Sequence, residues 1–199
     1  MDRKIVLASG NKGKMREFSA LFAGRGIEVL SQKALGVTEC PEPYGTFLEN
    51  ALAKARNAAR QTGLAAIADD SGITAEALDG LPGVHSARFA GPQHDDADNN
   101  AKLIADLADK ADKRAHYTCV LVAVRSETDP EPVVVQARWD GVITDQPAGT
   151  GGFGYDPYFY LPESGCTAAE LSAEAKNSVS HRGKAMGKLL AALSEAWGW

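Results

Sequence analysis

Two adjacent carboxylates are the residues of this sequence that are most suited to chemistry. Asp69 and Asp70 follow the apolar run Leu64–Ala68, which we expect to be a buried strand. Ligands of open α/β sheets bind at the carboxyl ends of strands, so a carboxylate there could hold a hard divalent cation or orient a water. Successive residues of an extended chain point to opposite sides, so Asp69 and Asp70 cannot share one task. An Asx-type turn is the alternative interpretation.

A glycine-rich turn, Ser9–Lys14, follows the short apolar run Ile5–Ala8 and precedes an amphipathic helix. Its glycines allow backbone amides to approach an anion, and the helix would present free N–H groups and its positive dipole end. Lys12 and Lys14 add positive charge. The turn therefore suits phosphate, although its spacing matches neither G-x-x-x-x-G-K-[ST] nor G-x-G-x-x-G. A plain turn between strand and helix is the alternative.

A third group lies around the start of a second helix. Glu42 stands between two prolines in a loop and could supply a second metal-binding oxygen. Thr46 and Glu49 have capping-box spacing, which predicts a helix that runs to about Thr62 before Gly63. Capping explains Glu49 fully. Lys54, on this helix, could reach a phosphate, although an exposed helical lysine is the commoner case.

Two later segments offer a slot for a flat ligand and a set of hydrogen-bond donors. In the loop Thr150–Pro157, Phe153 and Tyr155 offer ring faces for stacking, and Asp156 could accept hydrogen bonds from a base or cap a turn. The alternative is a hairpin-like loop with aromatic filler.

The basic segment Lys176–Lys184 contains a helix start at Ser180. His181 and Arg182 then fall in the first turn, where positive charge opposes the helix dipole, so an anionic or carbonyl-bearing ligand is indicated. A solvated basic turn is the alternative. Taken together, these segments fit a nucleoside triphosphate with Mg²⁺ better than other small ligands.

The elements that must position these residues indicate an α/β fold. Strand and helix patterns alternate in the first part of the chain, and the β-rich runs Tyr117–Arg125 and Pro132–Ile143 follow as a hairpin. We therefore expect a mixed central β-sheet with flanking helices. The length of 199 residues suits one domain spanning residues 1–199.

Composition narrows the class of protein. With 44% hydrophobic and 24% charged residues, the chain is neither disordered nor a coiled-coil rod. The net charge of −5 argues against a duplex nucleic-acid binder. The three cysteines are far apart, which argues against a disulfide framework or a zinc site. No run approaches the roughly 18 apolar residues of a membrane span, and the N-terminus lacks a signal-peptide pattern, so we expect a cytoplasmic protein.

In this order and spacing, the motifs resemble the non-canonical purine nucleoside-triphosphate pyrophosphatases, the inosine and xanthosine triphosphate pyrophosphatase family. The matching segments are Ser9–Lys14, Thr46–Arg56, Ala68–Gly72, Gly80–Gly91, Thr150–Pro157 and Lys176–Gly183. The resemblance implies two lobes around an active-site cleft, a homodimer, and Mg²⁺-dependent hydrolysis of ITP, dITP and XTP to the monophosphate and pyrophosphate. The biological role would be removal of deaminated purines from the nucleotide pool.

The resemblance also implies roles for individual residues. Asp70 matches the catalytic acid–base position and a metal ligand, and Glu42 a second metal-linked carboxylate. The expected substrate contacts are Ser9, Gly10, Asn11, Lys12, Gly13, Lys14, Lys54, Ser71, Phe153, Gly154, Tyr155, Asp156, Lys176, His181 and Arg182. Ser9 stands where the family usually has Thr and keeps the hydroxyl. His181 and Arg182 would donate to the 6-keto oxygen of the purine.

Two other functions compete with this one. Maf-like pyrophosphatases are a related group that acts on other nucleotides, but the base-loop and Ser-His-Arg matches argue against it. A nucleotide sensor that binds without turnover is the second alternative, and Asp70 argues against that because a pure binder has less need of such a carboxylate. Replacement of Asp70 by Asn separates an enzyme from a sensor.

Overall fold

A computed structural model describes residues 3–93 and 95–199 of the chain. The strands are β1 (Arg3–Leu7), β2 (Ile27–Ser31), β3 (Ala65–Ala75), β4 (Arg114–Val124), β5 (Val133–Ile143), β6 (Phe159–Leu161) and β7 (Cys166–Thr167). The α-helices are α1 (Lys12–Phe22), α2 (Phe47–Thr62), α3 (Asp96–Leu107), α4 (Ala173–Val179) and α5 (His181–Trp197). Within these described ranges, no helix is long and apolar enough to cross a membrane.

The strands form one mixed sheet with the order β2-β1-β3-β4-β5-β6-β7. β1 pairs in parallel with both β2 and β3, whereas β6 pairs antiparallel with β5 and β7. Parallel pairs joined by helices come from the first part of the chain and antiparallel pairs from the last part, so the predicted α/β fold with a mixed sheet is confirmed.

The chain divides into two compact units. Unit 1 comprises Met1–Asp70, Val120–Gln136 and Ala185–Trp199, and unit 2 comprises Ser71–Cys119 and Ala137–Lys184. The boundaries fall inside β3, β4, β5 and α5, so these four elements contribute residues to both units. The proposed single domain over residues 1–199, which also includes Met1, Asp2 and His94 outside the described residues, stays a prediction.

The core of unit 1 forms where α2 lies on the sheet. Thr46 caps the start of α2 by accepting a hydrogen bond from the Glu49 N–H, and Gly63 ends it with a left-handed φ of 68°. The inner face of α2 is built of alanines, which lets the helix backbone approach the strands closely. These alanines, Ala51, Ala55, Ala58 and Ala59, pack with strand residues that include Val6, Val120 and Val122.

The core of unit 2 is richer in aromatic side chains. Tyr117 from β4 and Trp139 from β5 are buried together with Phe159 from β6 and Tyr155 from the preceding loop. Leu103 and Leu107 of α3 pack into the same cluster. The packed rings therefore anchor the chain that follows β5, which contributes Tyr155 and Phe159 to this cluster.

The structure corrects the predicted end of the third strand. The sequence predicts that the strand stops at Ala68, but β3 continues to Ala75, so Asp69 and Asp70 lie within it. β1 stops at Leu7, opposite Ile67, so β3 runs on without this neighbour. On its other side β3 is hydrogen-bonded to the eleven-residue β4, which remains its neighbour in the sheet. The short strands β6 and β7 and helix α4 were not predicted.

Candidate active site

Five charged residues of unit 1 form what we name the lysine–carboxylate cluster: Lys14, Glu42, Lys54, Asp69 and Asp70. The Lys14 Nζ lies 2.7 Å from Asp69 Oδ1, and the Lys54 Nζ lies 2.6 Å from Asp70 Oδ1 and 2.9 Å from Glu42 Oε1. Asp69 and Asp70 thus form ion pairs with different lysines, as expected for adjacent residues of a strand, which point to opposite sides. The alternative interpretation of Lys54 as an exposed helical lysine is not supported, because its side chain is only 14% exposed.

The cluster lies where β1 ends. The Ala8 N–H donates to the Ile67 carbonyl at 2.8 Å, and the chain then leaves the sheet through Ser9 and Gly10. A cavity of about 160 Å³ opens there, and its walls include Ser9, Gly10, Lys14, Glu42, Lys54 and Asp69. Two of the three carboxylates, Glu42 and Asp69, therefore line a polar cavity past the carboxyl end of β1, where ligands of parallel sheets bind, and Asp70 contacts the cavity wall through Lys54.

The turn Ser9–Lys14 is more ordered than its sequence predicts. The Asn11 side chain caps α1 by accepting the Gly13 N–H at 2.7 Å and the Lys14 N–H at 3.1 Å, and Ser9 Oγ accepts the Asn11 N–H. The prediction that the first turn presents free N–H groups is therefore wrong for these two amides. An incoming anion would meet the Lys14 ammonium and the positive end of α1 instead.

The charge balance of the cluster shifts two pKa values. Burial raises the pKa of the Asp70 carboxyl, and the nearby charge of Glu42 raises it further, while the Lys54 ammonium opposes both. Burial acts to lower the pKa of Lys54, but its contacts with Asp70 and Glu42 outweigh burial and hold that pKa above its ordinary value. Two carboxylates thus share one ammonium that stays charged.

The loop Thr150–Pro157 of unit 2 is folded around the Asp156 carboxylate. Asp156 is buried, and its Oδ2 accepts the Phe153 N–H at 2.8 Å and a hydrogen bond from the Lys176 Nζ. Gly152 has a φ of +74°, and a Cβ there would lie 2.1 Å from Asp156 Oδ2, so this turn requires glycine.

The two aromatic residues of this loop differ. The Phe153 ring is 58% exposed, whereas Tyr155 is buried in the core and its hydroxyl donates to the Ser86 carbonyl at 2.7 Å. Phe153 therefore offers a ring face, and Tyr155 anchors the loop. The interpretation of Tyr155 as a second stacking face is not supported.

Two cations flank the exposed ring. The Lys176 Nζ lies 5.1 Å and the Arg182 Cζ 5.9 Å from the centre of the Phe153 ring. Arg182 also donates to Ser71 Oγ at 3.1 Å. A flat ligand on Phe153 would therefore meet hydrogen-bond donors at its edge.

The corner between α4 and α5 presents His181 and Arg182. Both residues are buried at the start of α5, and Ser180 caps this start by accepting the Gly183 N–H. A Cβ on Gly183 would lie 1.6 Å from the Asn177 carbonyl oxygen, so the two helices approach too closely for any side chain there.

Two residues of α3 that the sequence analysis did not single out hold the loop Thr150–Pro157 in place. Asp96 Oδ2 accepts the Gly154 N–H at 2.9 Å, and the Asn100 side chain donates to the Gly154 carbonyl at 2.9 Å. Gly154 is thereby fixed through its backbone. Both side chains resemble ordinary helix-start polar residues, so no local signal distinguishes them.

Comparisons with known proteins identify the family of the chain. The sequence model of the Ham1 family matches residues 5–192. The dITP/XTP pyrophosphatase of Neisseria meningitidis serogroup B is 60% identical over 193 residues, which cover 96% of each chain. The chain belongs to the Ham1 family. The dITP/XTP pyrophosphatase of Bordetella pertussis is 58% identical over 191 residues, covering 94% of this chain and 90% of the relative.

Solved Ham1 structures share the fold. The HAM1 protein of Coxiella burnetii superposes with a TM-score of 0.94 at 44% identity, covering 98% of this chain and 100% of that one. The Ham1 protein of Staphylococcus aureus gives a TM-score of 0.89 at 38% identity, with 97% and 99% coverage. The family that the sequence motifs indicated is therefore confirmed.

Proposed function

We propose that this Ham1 protein is a nucleoside-triphosphate pyrophosphatase that hydrolyses the non-canonical purine nucleotides ITP, dITP and XTP. The products are the nucleoside monophosphate and pyrophosphate. The observation that carries this proposal is the buried Asp70 carboxylate, held by Lys54 in a chain whose relatives at 58% and 60% identity are named dITP/XTP pyrophosphatases. A role in clearing deaminated purines follows from that activity.

The donor set of the cluster fits Mg²⁺. Two lysines face three carboxylates, so the cluster has surplus negative charge before a triphosphate arrives, and a divalent cation would reverse that balance. Among the described residues, no three His, Cys, Asp or Glu side chains form a metal site by themselves. Mg²⁺ commonly binds one or two carboxylates and completes its shell with phosphate oxygens and waters. Asp70 and Glu42, which share the Lys54 ammonium, would hold it.

The chain's own residues then account for the hydrolysis. The oxygen of a water attacks the α-phosphorus, and the Asp70 carboxylate takes the proton of that water. The bond between the α-phosphorus and the oxygen that bridges to the β-phosphorus breaks, and pyrophosphate leaves. The raised pKa of Asp70 makes it a better proton acceptor. Lys14 and Lys54 stabilise the charge that develops on the phosphate oxygens. Bound Mg²⁺ would neutralise phosphate charge in addition.

The unit 2 residues account for selection of a 6-keto purine over adenine. The exposed Phe153 ring stacks against the purine, while Lys176, His181 and Arg182 supply donors for the 6-keto oxygen. Adenine carries an amino group at that position, so a hydrogen-bond donor of the base would face the hydrogen-bond donors of the protein. A site that loses such a hydrogen bond discriminates by orders of magnitude. Asp156, already bonded to Lys176, orients that lysine.

A product assay with Mg²⁺ and separate nucleotides tests the function. We expect pyrophosphate from ITP, dITP and XTP, and little from ATP or GTP. Pyrophosphate mainly from dTTP would favour a Maf-like activity, and orthophosphate instead of pyrophosphate would refute the assignment of the cleaved bond.

The adjacent aspartates provide a matched pair of variants. Asp70→Asn should lower kcat for ITP by about 100-fold or more, because a general base contributes about 10²–10⁴-fold. Asp69→Asn loosens Lys14 but leaves Asp70 in place, so we expect a smaller fall in kcat than in Asp70→Asn. Full turnover by Asp70→Asn would refute the proposed role of Asp70, whereas wild-type protein that releases no product from any nucleotide would favour a nucleotide sensor.

The homodimer, the cytoplasmic location and the absence of nucleic-acid binding remain parts of this proposal. They rest on the resemblance and on composition.

A further inference from the structure

The His181 imidazole lies on a stack of aromatic rings in unit 2. The Tyr117 ring lies parallel to it, with centroids 4.7 Å apart and planes only 7° apart. Trp139 lies 6.2 Å from the imidazole at 20° and 6.3 Å from Tyr117 at 26°. Face-to-face contact of this kind fixes the plane of the imidazole, and therefore the directions in which its ring nitrogens point.

Tyr117 is itself held rigidly. Its side chain is buried, and Phe159 packs edge-on against it with centroids 4.8 Å apart. Burial and the charge of Asp156 raise the pKa of the Tyr117 hydroxyl well above its ordinary value, so the hydroxyl keeps its proton. A buried hydroxyl that keeps its proton needs an acceptor.

That acceptor is a second residue of the proposed base site. The Tyr117 hydroxyl donates to Asp156 Oδ1 at 3.4 Å, and the other oxygen of Asp156 holds the Phe153 N–H and the Lys176 ammonium. One buried side chain therefore contacts His181 through its ring face and Asp156 through its hydroxyl. His181 and Asp156 lie 25 positions apart on separate segments, and Tyr117 is a contact common to both.

We infer that Tyr117 is a positioning residue for base recognition, whose ring orients the His181 imidazole and whose hydroxyl helps fix Asp156. The inference rests on the proposed function, because it assigns these two residues to the purine. Tyr117 touches no reacting atom and acts only through its neighbours. The ring is the larger contribution, because the hydroxyl bond is long and Asp156 has two other donors.

Three variants test the inference by a split between KM and kcat. Tyr117→Leu removes the stack, so we expect KM for ITP to rise about tenfold or more with kcat nearly unchanged, because misplacement of a binding group weakens ground and transition states alike. The preference in kcat/KM for ITP over ATP should fall as well. Tyr117→Phe keeps the ring and should recover most of the lost affinity.

Phe22→Leu is the matched control. It removes a buried ring from unit 1, which does not contain the Tyr117–His181 stack. A purely structural loss lowers the fraction of active protein, which reduces the apparent kcat and the melting temperature but not the affinity of the remainder. Equal KM values for wild type and Tyr117→Leu, or an equal rise in Phe22→Leu, would overturn the inference.

The His181 proton resonances give a readout that does not need turnover. A stacked ring shifts the carbon-bound imidazole protons upfield, so these resonances, assigned with His181→Gln, should move downfield in Tyr117→Leu and stay in Tyr117→Phe. Unmoved resonances would overturn the inference even if ITP is hydrolysed. If wild-type protein releases no pyrophosphate from ITP, dITP or XTP, the proposed function fails, and moved resonances still support the positioning of His181 by Tyr117.

Discussion

At the scale of single residues, the balance around Lys54 decides how the cluster behaves. The Lys54 ammonium contacts both Asp70 and Glu42. The side chains of Lys54 and Asp70 are only 14% and 10% exposed, and that of Glu42 is 32% exposed. Two carboxylates that lose their shared counter-ion in a site shielded from water destabilise the folded protein. The same two carboxylates are those to which we assign Mg²⁺, so a lysine and a metal ion can substitute for each other in part.

Lys54→Met should therefore destabilise the protein by about 2 kcal/mol or more, because it removes the shared cation of a buried pair. Urea unfolding without metal measures this loss. Mg²⁺ should restore more stability to Lys54→Met than to wild type, since it would bind between the freed carboxylates. Lys4→Met is the control, because the Lys4–Glu28 pair is exposed and contributes under about 1 kcal/mol. An identical Mg²⁺ effect on wild type and Lys54→Met would contradict the metal assignment.

At the scale of elements, the corner between α4 and α5 sets the place of His181 and Arg182. Gly183→Ala would push a methyl group into the Asn177 carbonyl, and neither backbone can yield without moving the helix start. We expect a loss of about 1–3 kcal/mol in stability, typical of overpacking, together with a large fall in kcat/KM for ITP. Melting temperature and pyrophosphate release measure the two effects.

Gly187 supplies the control within the same helix. A Cβ on Gly187 would meet no atom within 4 Å, so Gly187→Ala should be neutral or stabilise α5 by about 0.5–1 kcal/mol. Equal behaviour of the two variants would mean that the corner tolerates a side chain and does not fix His181.

Local signals explain which elements the sequence predicts. Thr46 and Gly63 mark α2 because capping and left-handed termination act over a few residues. The extension of β3 through Asp70 has no such mark in the sequence, because it depends on the distant strand β4 beside it. The partners of Lys54 lie 12 and 16 positions away, and Tyr117 lies 64 positions from His181. Periodicity and spacing cannot reveal such contacts, so the candidate residues were predicted but their pairing was not.

At the scale of the whole molecule, the two units are interleaved along the chain. β3, β4, β5 and α5 each cross a unit boundary, so neither unit is one continuous segment. Loss of order in one part of a strand removes hydrogen-bonded support from the rest of that strand. Chain continuity therefore favours cooperative unfolding over two independent transitions, which is what the single predicted domain requires.

The three tryptophans allow this to be measured, because Trp139 belongs to unit 2 whereas Trp197 and Trp199 belong to unit 1. Fluorescence of Trp139→Phe then reports unit 1, where Arg125 and Arg3 lie over the two remaining rings. Fluorescence of a Trp197→Phe, Trp199→Phe double variant reports unit 2. In each variant, the urea midpoint by fluorescence should coincide with that by far-ultraviolet circular dichroism. Fluorescence midpoints that depart from circular dichroism in either variant would refute the single domain.

A midpoint that rises with protein concentration would support the proposed homodimer, because mass action stabilises a folded dimer.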